Sequence, residues 1–271
     1  MGEQTPPASP VIETRIVERP AASRHRPVID LRTSRPEDRF DLVTVAVTGG
    51  AGTLGSAIAT ELARRGARVM VFGRDLARLN RVDSASGTSS RMVALECDLG
   101  SVSAVRSAAD FVIRMGIDVD VVVHAAGVRV TAGIADGDVD DLDEQYLINL
   151  RAPYLLTQLL EPAMAQRPHV ILFTTGPHAG VDEFGAQFLM VQRSLDGFAH
   201  LLREENPAMR VTTLRPAISA DAASRVRETV AAVIYSLTAP TNVEPSAVQA
   251  NYLAASYASG HLTPVSGAAW S

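Results

Sequence analysis

The chain predicts an α/β fold: a doubly wound parallel sheet of about seven strands with helices on both faces. Three observations carry this. Short β-branched apolar runs alternate with longer segments of helical spacing, which implies right-handed strand–helix–strand crossovers. The runs are apolar almost throughout, as strands covered on both faces are. A glycine-rich turn, "TGGAGTLG", joins the first run to the first helical segment.

Residues 1 to about 40 are rich in Pro, Arg, Glu and Ser and have no sustained periodicity, so they read as a flexible extension. The apolar pairs Val11-Ile12 and Val28-Ile29 offer short docking points on the body or on a partner. The pattern changes at Leu42. "LVTVAV" is the first buried strand, closed by glycines. "LGSAIATELARRG" follows with helical spacing; Ile58 and Leu62 face inward and Gly66 suits the position just past the helix. "ARVMVFG" is the second strand, "RMVALEC" the third, "DVDVVVHAAG" the fourth, "HVILFTT" the fifth and "RVTTLRP" the sixth. Helical segments fall between them, notably at 102–115, 139–163 and 186–205. A last helix near 223–237 and a short strand near 247–250 finish a domain spanning 41–255, and 256–271 is a small polar tail.

Composition narrows the function. The length, 271 residues, suits one sizeable core. A net charge of −5 gives no reason to expect nucleic acid, and no apolar run is long enough to span a bilayer. An apolar secretory leader is not visible, and the lone Cys97, expected to pack at a strand end, fits a reducing, cytoplasmic setting. All 25 basic side chains counted as Lys or Arg are Arg, so no lysine can titrate or form a Schiff base.

The glycine turn carries the first chemistry. Gly49, Gly52 and Gly55 permit a tight turn, close backbone approach to a pyrophosphate and close helix packing, and Thr53 and Leu54 open the helix whose N–H groups face the phosphates. This is a Rossmann-type dinucleotide turn. About 20 residues on, where an acid binds the ribose of NAD, stands Arg74, which favours a 2′-phosphate and hence NADP(H). Asp75 reads as a cap of the next helix.

From about residue 42 to 252 the chain resembles the short-chain dehydrogenase/reductase superfamily, on those glycines and on five further motifs. "CDL" resembles the acidic motif after the third strand, which implies Asp98 and Leu99 at the adenine. "HAAG" stands where many members have NNAG and implies Ala125, Ala126 and Gly127 beside the adenosine, with His124 packed. "INL" places Asn149 at the family's helix-four Asn, which holds a water in the proton relay. "FTT" puts Thr175 where the catalytic Ser sits. "LRPAI" is similar to the segment past the nicotinamide, followed here by a short stretch where many members carry a longer lid. The resemblance also implies a small-molecule substrate and a homodimer or homotetramer.

The resemblance breaks at the catalytic pair. Phe188 stands at the Tyr position and Gln192 at the Lys, one turn apart on one helix face. Phe188 cannot donate a proton; as a wall of the substrate pocket it can only pack. Gln192 can still hydrogen-bond ribose hydroxyls. A positioned general acid is worth roughly 10²–10⁴ in rate, so hydride transfer is slowed rather than forbidden. His178 on the following loop is a candidate replacement acid or base. The functional expectation is an NADP(H)-binding oxidoreductase acting on a small carbonyl, alcohol or imine compound by a non-standard proton pathway. The alternatives are a non-redox cyclase, lyase or isomerase, and a catalytically silent cofactor-binding partner. The acids and histidines lack metal-ligand spacing, so no metal is expected; the Asp-rich "DGDVDDLDE" reads as a solvated helix start. Tyr146 and Tyr154 are assigned to packing, and Leu189, Leu195 and Leu202 to the core or a subunit interface.

Overall fold

The structure is a computed structural model, and it describes residues 39–87, 91–176, 179–216, 221–238 and 248–249. The expected roles of Val11-Ile12, Val28-Ile29, His178 and the 256–271 tail lie outside the described residues.

Seven strands form one parallel sheet: β1 (Thr44–Thr48), β2 (Arg68–Gly73), β3 (Met92–Glu96), β4 (Val119–His124), β5 (Met164–Phe173), β6 (Arg210–Arg215) and β7 (Val248–Gln249). Their order is β3-β2-β1-β4-β5-β6-β7. The helices are α1 (Thr53–Arg64), α2 (Leu76–Ser86), α3 (Val102–Met115), α4 (Val139–Tyr146), α5 (Ala152–Leu160), α6 (Val181–Phe184), α7 (Ala186–Glu205) and α8 (Ala222–Thr238).

Period-two alternation sends each strand's side chains into two cores. Val45 and Val47 of β1 and Val121 and Val123 of β4 join Ile58 and Leu62 of α1, Leu79 of α2 and Val233 of α8 on one face. Ala46 and Val122 join Val105 and Val112 of α3, Leu156 of α5 and Leu195 and Leu202 of α7 on the other. Leu189, Leu195 and Leu202 are therefore core residues, at 8 % exposure or less. Because β1 is flanked by β2 and β4, successive crossovers run in opposite directions from it. The loops after β1 and β4 diverge there and leave a crevice at the carboxyl ends of the strands.

Local chemistry sets the element ends. Asp75 accepts a hydrogen bond from the Arg78 N–H and caps α2, and Gly66 lies just past α1 at φ +102°. Asp138 caps α4, with Asp140 and Asp141 in its first turn facing the positive end of the helix dipole.

Four expectations need correction. The first strand begins at Thr44, not Leu42, which is 62 % exposed in a turn. β5 begins earlier, at Met164, and stops before Thr174 and Thr175, so both leave the ladder at the strand's carboxyl end. The segment 139–163 is not one helix: a π turn, Leu147–Arg151, separates α4 from α5, and a 3-10 turn, Glu161–Ala163, follows. Tyr146 and Tyr154 are not packed inside; they are 45 % and 49 % exposed, and Tyr154 meets Phe198 edge to face.

Candidate active site

A cleft of about 750 Å³ opens at the carboxyl end of the sheet. Its lining joins Leu54 after the glycine turn, Ala125, Ala126 and Gly127 after β4, Asn149, and then Thr175, Phe188 and Gln192.

The nucleotide side is shaped by backbone crowding. Gly49 adopts φ +68°, and a Cβ on it would lie 2.8 Å from the Ala126 Cα. A Cβ on Gly55 would run into the carbonyl of Gly49, so α1 can start against the turn only with Gly there. Thr48 Oγ1 accepts from the Ala126 N–H at 3.1 Å and ties the two loops together across the crevice. Gly52 caps α1 with no side-chain hydrogen bond, the first turn carries no acid, and Thr53 is exposed. The first N–H groups of α1 are thus left without a capping side chain at the positive end of the helix dipole, which fits a pyrophosphate. Arg74 is exposed at the end of β2. Arg78, which the sequence reading missed, donates to the Ala51 carbonyl of the glycine turn at 3.3 Å. Its place one turn beyond Arg74, in "GRDLAR", was the available signal.

Asp98 is exposed and accepts from the Gly100 N–H at 3.0 Å, while Leu99 is buried. Arg151, at the end of the π turn, donates to the Gly100 carbonyl and holds this loop in place. Cys97 packs just before it at 1 % exposure; burial pushes its thiol up to about 11, so it is no nucleophile at neutral pH.

Asn149 is buried by the π turn, and both ends of its amide are engaged. Its Oδ1 accepts from the Val128 N–H at 2.9 Å and its Nδ2 donates to the Val128 carbonyl at 2.7 Å. Its side chain fixes the segment after β4. Gln145 acts likewise one turn earlier, accepting from the Val130 N–H at 3.1 Å. His124 is fully enclosed, shares a 2.9 Å hydrogen bond with Thr157, and has its pKa lowered to about 3 by burial. It is a neutral packing residue.

Farther along the cleft lies Thr175, whose Oγ1 is buried without a hydrogen-bond partner among the described residues. Phe188 and Gln192 of α7 line the cleft with it; Gln192 is 6 % exposed. Arg215 packs over Gly176, which has no Cβ and adopts φ +75°. Burial raises the pKa of Asp196 on α7. The Thr174 hydroxyl, near but outside full hydrogen-bond geometry, and then Arg215 and Arg203 pull it the other way. Phe184 stacks on Phe188 with centroids 6.0 Å apart, and the Arg129 guanidinium lies 5.5 Å from the Phe184 centroid. Neither Arg129 nor Phe184 was singled out from sequence; only the fold brings the two loops together. Among the described residues, no group of His, Cys, Asp and Glu could hold a metal ion, and no helix is long and apolar enough to cross a membrane.

Comparison with known proteins adds the family. The short chain dehydrogenase profile matches residues 43–218. An uncharacterized short-chain type dehydrogenase/reductase of Sinorhizobium fredii is 34% identical over 158 residues, 56% of this chain and 59% of that protein. The polyketide synthase GfsA of Streptomyces halstedii is 33% identical over 172 residues, 58% of this chain but 2% of that protein. The chain thus spans well under two thirds of both relatives. Among solved structures, a metagenomic short-chain oxidoreductase in complex with NADP superposes with a TM-score of 0.68 at 26% identity, covering 79% of this chain and 97% of that one. The glycine turn, the strand order and a match over residues 43–218 agree: the chain belongs to the short-chain dehydrogenase family.

Proposed function

We propose that the chain binds NADP(H) and is an oxidoreductase acting on a small carbonyl, alcohol or imine compound, with a proton pathway that does not use the family's Tyr and Lys. One observation carries the reading: a single cleft runs from the glycine turn to Thr175, with Phe188 and Gln192 on its wall. The NADP held by the metagenomic relative supports the choice of nucleotide.

When bound, the cofactor supplies hydride chemistry. The chain's own residues do the rest. The first turn of α1 offers its N–H groups to the pyrophosphate, and Arg74 and Arg78 offer two cations to the 2′-phosphate. Gln192 offers its amide to ribose hydroxyls. Thr175 Oγ1, buried without a hydrogen-bond partner among the described residues, donates to the oxygen of the reacting group. Phe188 excludes water but transfers no proton. The proton comes from solvent, from the substrate itself, or from His178.

Calorimetry tests nucleotide binding: NADPH is expected to bind more tightly than NADH, and failure of both to bind would overturn the reading. The double variant Phe188→Tyr with Gln192→Lys is expected to raise ketone reduction by about 10²–10⁴, the worth of a general acid. Phe188 and Gln192 at the family's Tyr and Lys positions also favour a second reading, a cyclase, lyase or isomerase. Product formed without hydride from C4-labelled NADPH would select it.

A further inference from the structure

The wall of the cleft opposite the nucleotide turn has a recognition pattern of its own. Phe184, on the short α6, and Phe188, on α7, stack with their planes 18° apart. Both are only half-buried, so the stack keeps apolar surface toward the cleft. Arg129, from the loop after β4, lies over the outer ring. Three contacts hold that loop: Asn149 on Val128, Gln145 on Val130, and the Ala186 N–H on the Ala132 carbonyl at 2.8 Å. Those contacts fix the backbone on either side of Arg129, an exposed residue whose guanidinium lies over the Phe184 ring.

The charge of Arg129 is not neutralised there. A ring face attracts a cation through its quadrupole but carries no net charge. Among the described residues, no carboxylate forms a salt bridge with Arg129 within 4.0 Å. Among the described residues that line the cleft, Glu183 is the one carboxylate, and it makes no salt bridge with Arg129 within 4.0 Å. A guanidinium stacked on a ring keeps its N–H edge free for a bidentate contact with a carboxylate.

Resting on the proposed oxidoreductase reading, we propose that the substrate is an aromatic carbonyl compound bearing an anionic group. The ring lies along Phe184 and Phe188, the anion pairs with Arg129, and the carbonyl oxygen takes the hydrogen bond of Thr175. Phe in place of Tyr at 188 completes the aromatic wall while removing the proton donor.

Three probes separate the parts of this pattern: 4-acetylbenzoate, acetophenone, which lacks the anion, and levulinate, which lacks the ring. Each is titrated calorimetrically into the full chain with and without saturating NADPH. 4-Acetylbenzoate is expected to bind at least about tenfold more tightly than either comparison compound, a difference of about 1.4 kcal/mol. Arg129→Met is expected to abolish its advantage over acetophenone, and Phe184→Leu its advantage over levulinate. Phe184→Tyr, which keeps the ring, is expected to retain both, and it serves as the test should the leucine variant misfold. Equal affinities for the three probes, or no change in Arg129→Met, would overturn the substrate assignment. NADPH binding without discrimination sinks this inference and spares the oxidoreductase reading. Discrimination without NADPH binding overturns the oxidoreductase reading and leaves only the ligand class, an aromatic anion, standing.

Discussion

At the scale of single side chains, two expectations concern nucleotide choice and the response to pH. Arg74 stands exposed at the end of β2, and Arg78 lies one turn on with a hold on the glycine turn. A charge-assisted contact is worth about 1.5–3 kcal/mol, so Arg74→Ala is expected to weaken NADPH by roughly 10–100-fold and leave NADH unchanged; paired calorimetric titrations check this. His124 sets a second expectation. Its folded pKa, about 3, lies below the unfolded value near 6.5, because burial penalises the cation. Above pH 6.5 both states are neutral and stability is at its full value. As pH falls from 6.5 toward 3 only the unfolded chain gains the proton, so stability drops by up to about 1.4 kcal/mol per pH unit. His169, buried beside Thr212 and also lowered by burial and by Arg210, adds in the same direction. Urea midpoints at pH 7 and pH 5 are expected to differ, and His124→Asn is expected to reduce the difference. Of these residues, the packing role of His124 was readable from its local motif, as was the place of Arg74 at the end of β2. The contacts of Arg78 with Ala51 and of His169 with Thr212 were not, because those partners lie far away in sequence; only the place of Arg78 one turn beyond Arg74 was legible.

At the level of elements, the site depends on two junctions where the backbone has no spare room. The start of α1 is one. Gly55→Ala forces a Cβ against the Gly49 carbonyl, which cannot yield without opening the turn. We expect loss of nucleotide binding together with about 1–3 kcal/mol of stability, the usual cost of overpacking. Gly87→Ala is the control: it lies past α2 at φ +66°, but a Cβ there meets nothing. It is expected to cost only about 1 kcal/mol of backbone strain and to leave binding intact. The π turn between α4 and α5 is the other junction. It buries Asn149 against Val128 on one side and aims Arg151 at Gly100 on the other. Asn149→Ala would leave both backbone groups of the half-buried Val128 without their partner, and about 1–3 kcal/mol of stability is expected to go with them. The catalytic rate is expected to fall through misplacement of the post-β4 loop. Thermal melts and rates measured on the same preparation separate the two effects. The glycine turn was legible because Gly at that spacing is itself the physical requirement. The π turn was not, since a run of apolar and polar residues at near-helical spacing looks continuous until a tertiary contact inserts the extra residue.

For the whole molecule, the strand order places the cleft. Winding reverses between β1 and β4, and the cleft lies at the carboxyl ends of these strands, lined by Leu54, Ala125 and Thr175. The half-exposed Tyr146 and Tyr154, with Met190 and Leu201 of α7, give the outer helices apolar surface. Light scattering after size exclusion is expected to show a homodimer or homotetramer, and a monomer at micromolar concentration would count against it. By itself the amino-acid order determined the alternation of strands and helices, the uncapped glycine turn, the absence of any lysine, and the sharing of one helix face by Phe188 and Gln192. Each follows from spacing within a few residues, or from which residues are present at all. Only the tertiary structure decided that Asn149 locks Val128, that Arg78 reaches the glycine turn, and that Arg129 lies over Phe184 beside Phe188. Those pairings join segments separated by long stretches of chain. What brings them together is the burial of two apolar faces against one sheet, which no local pattern of residues encodes.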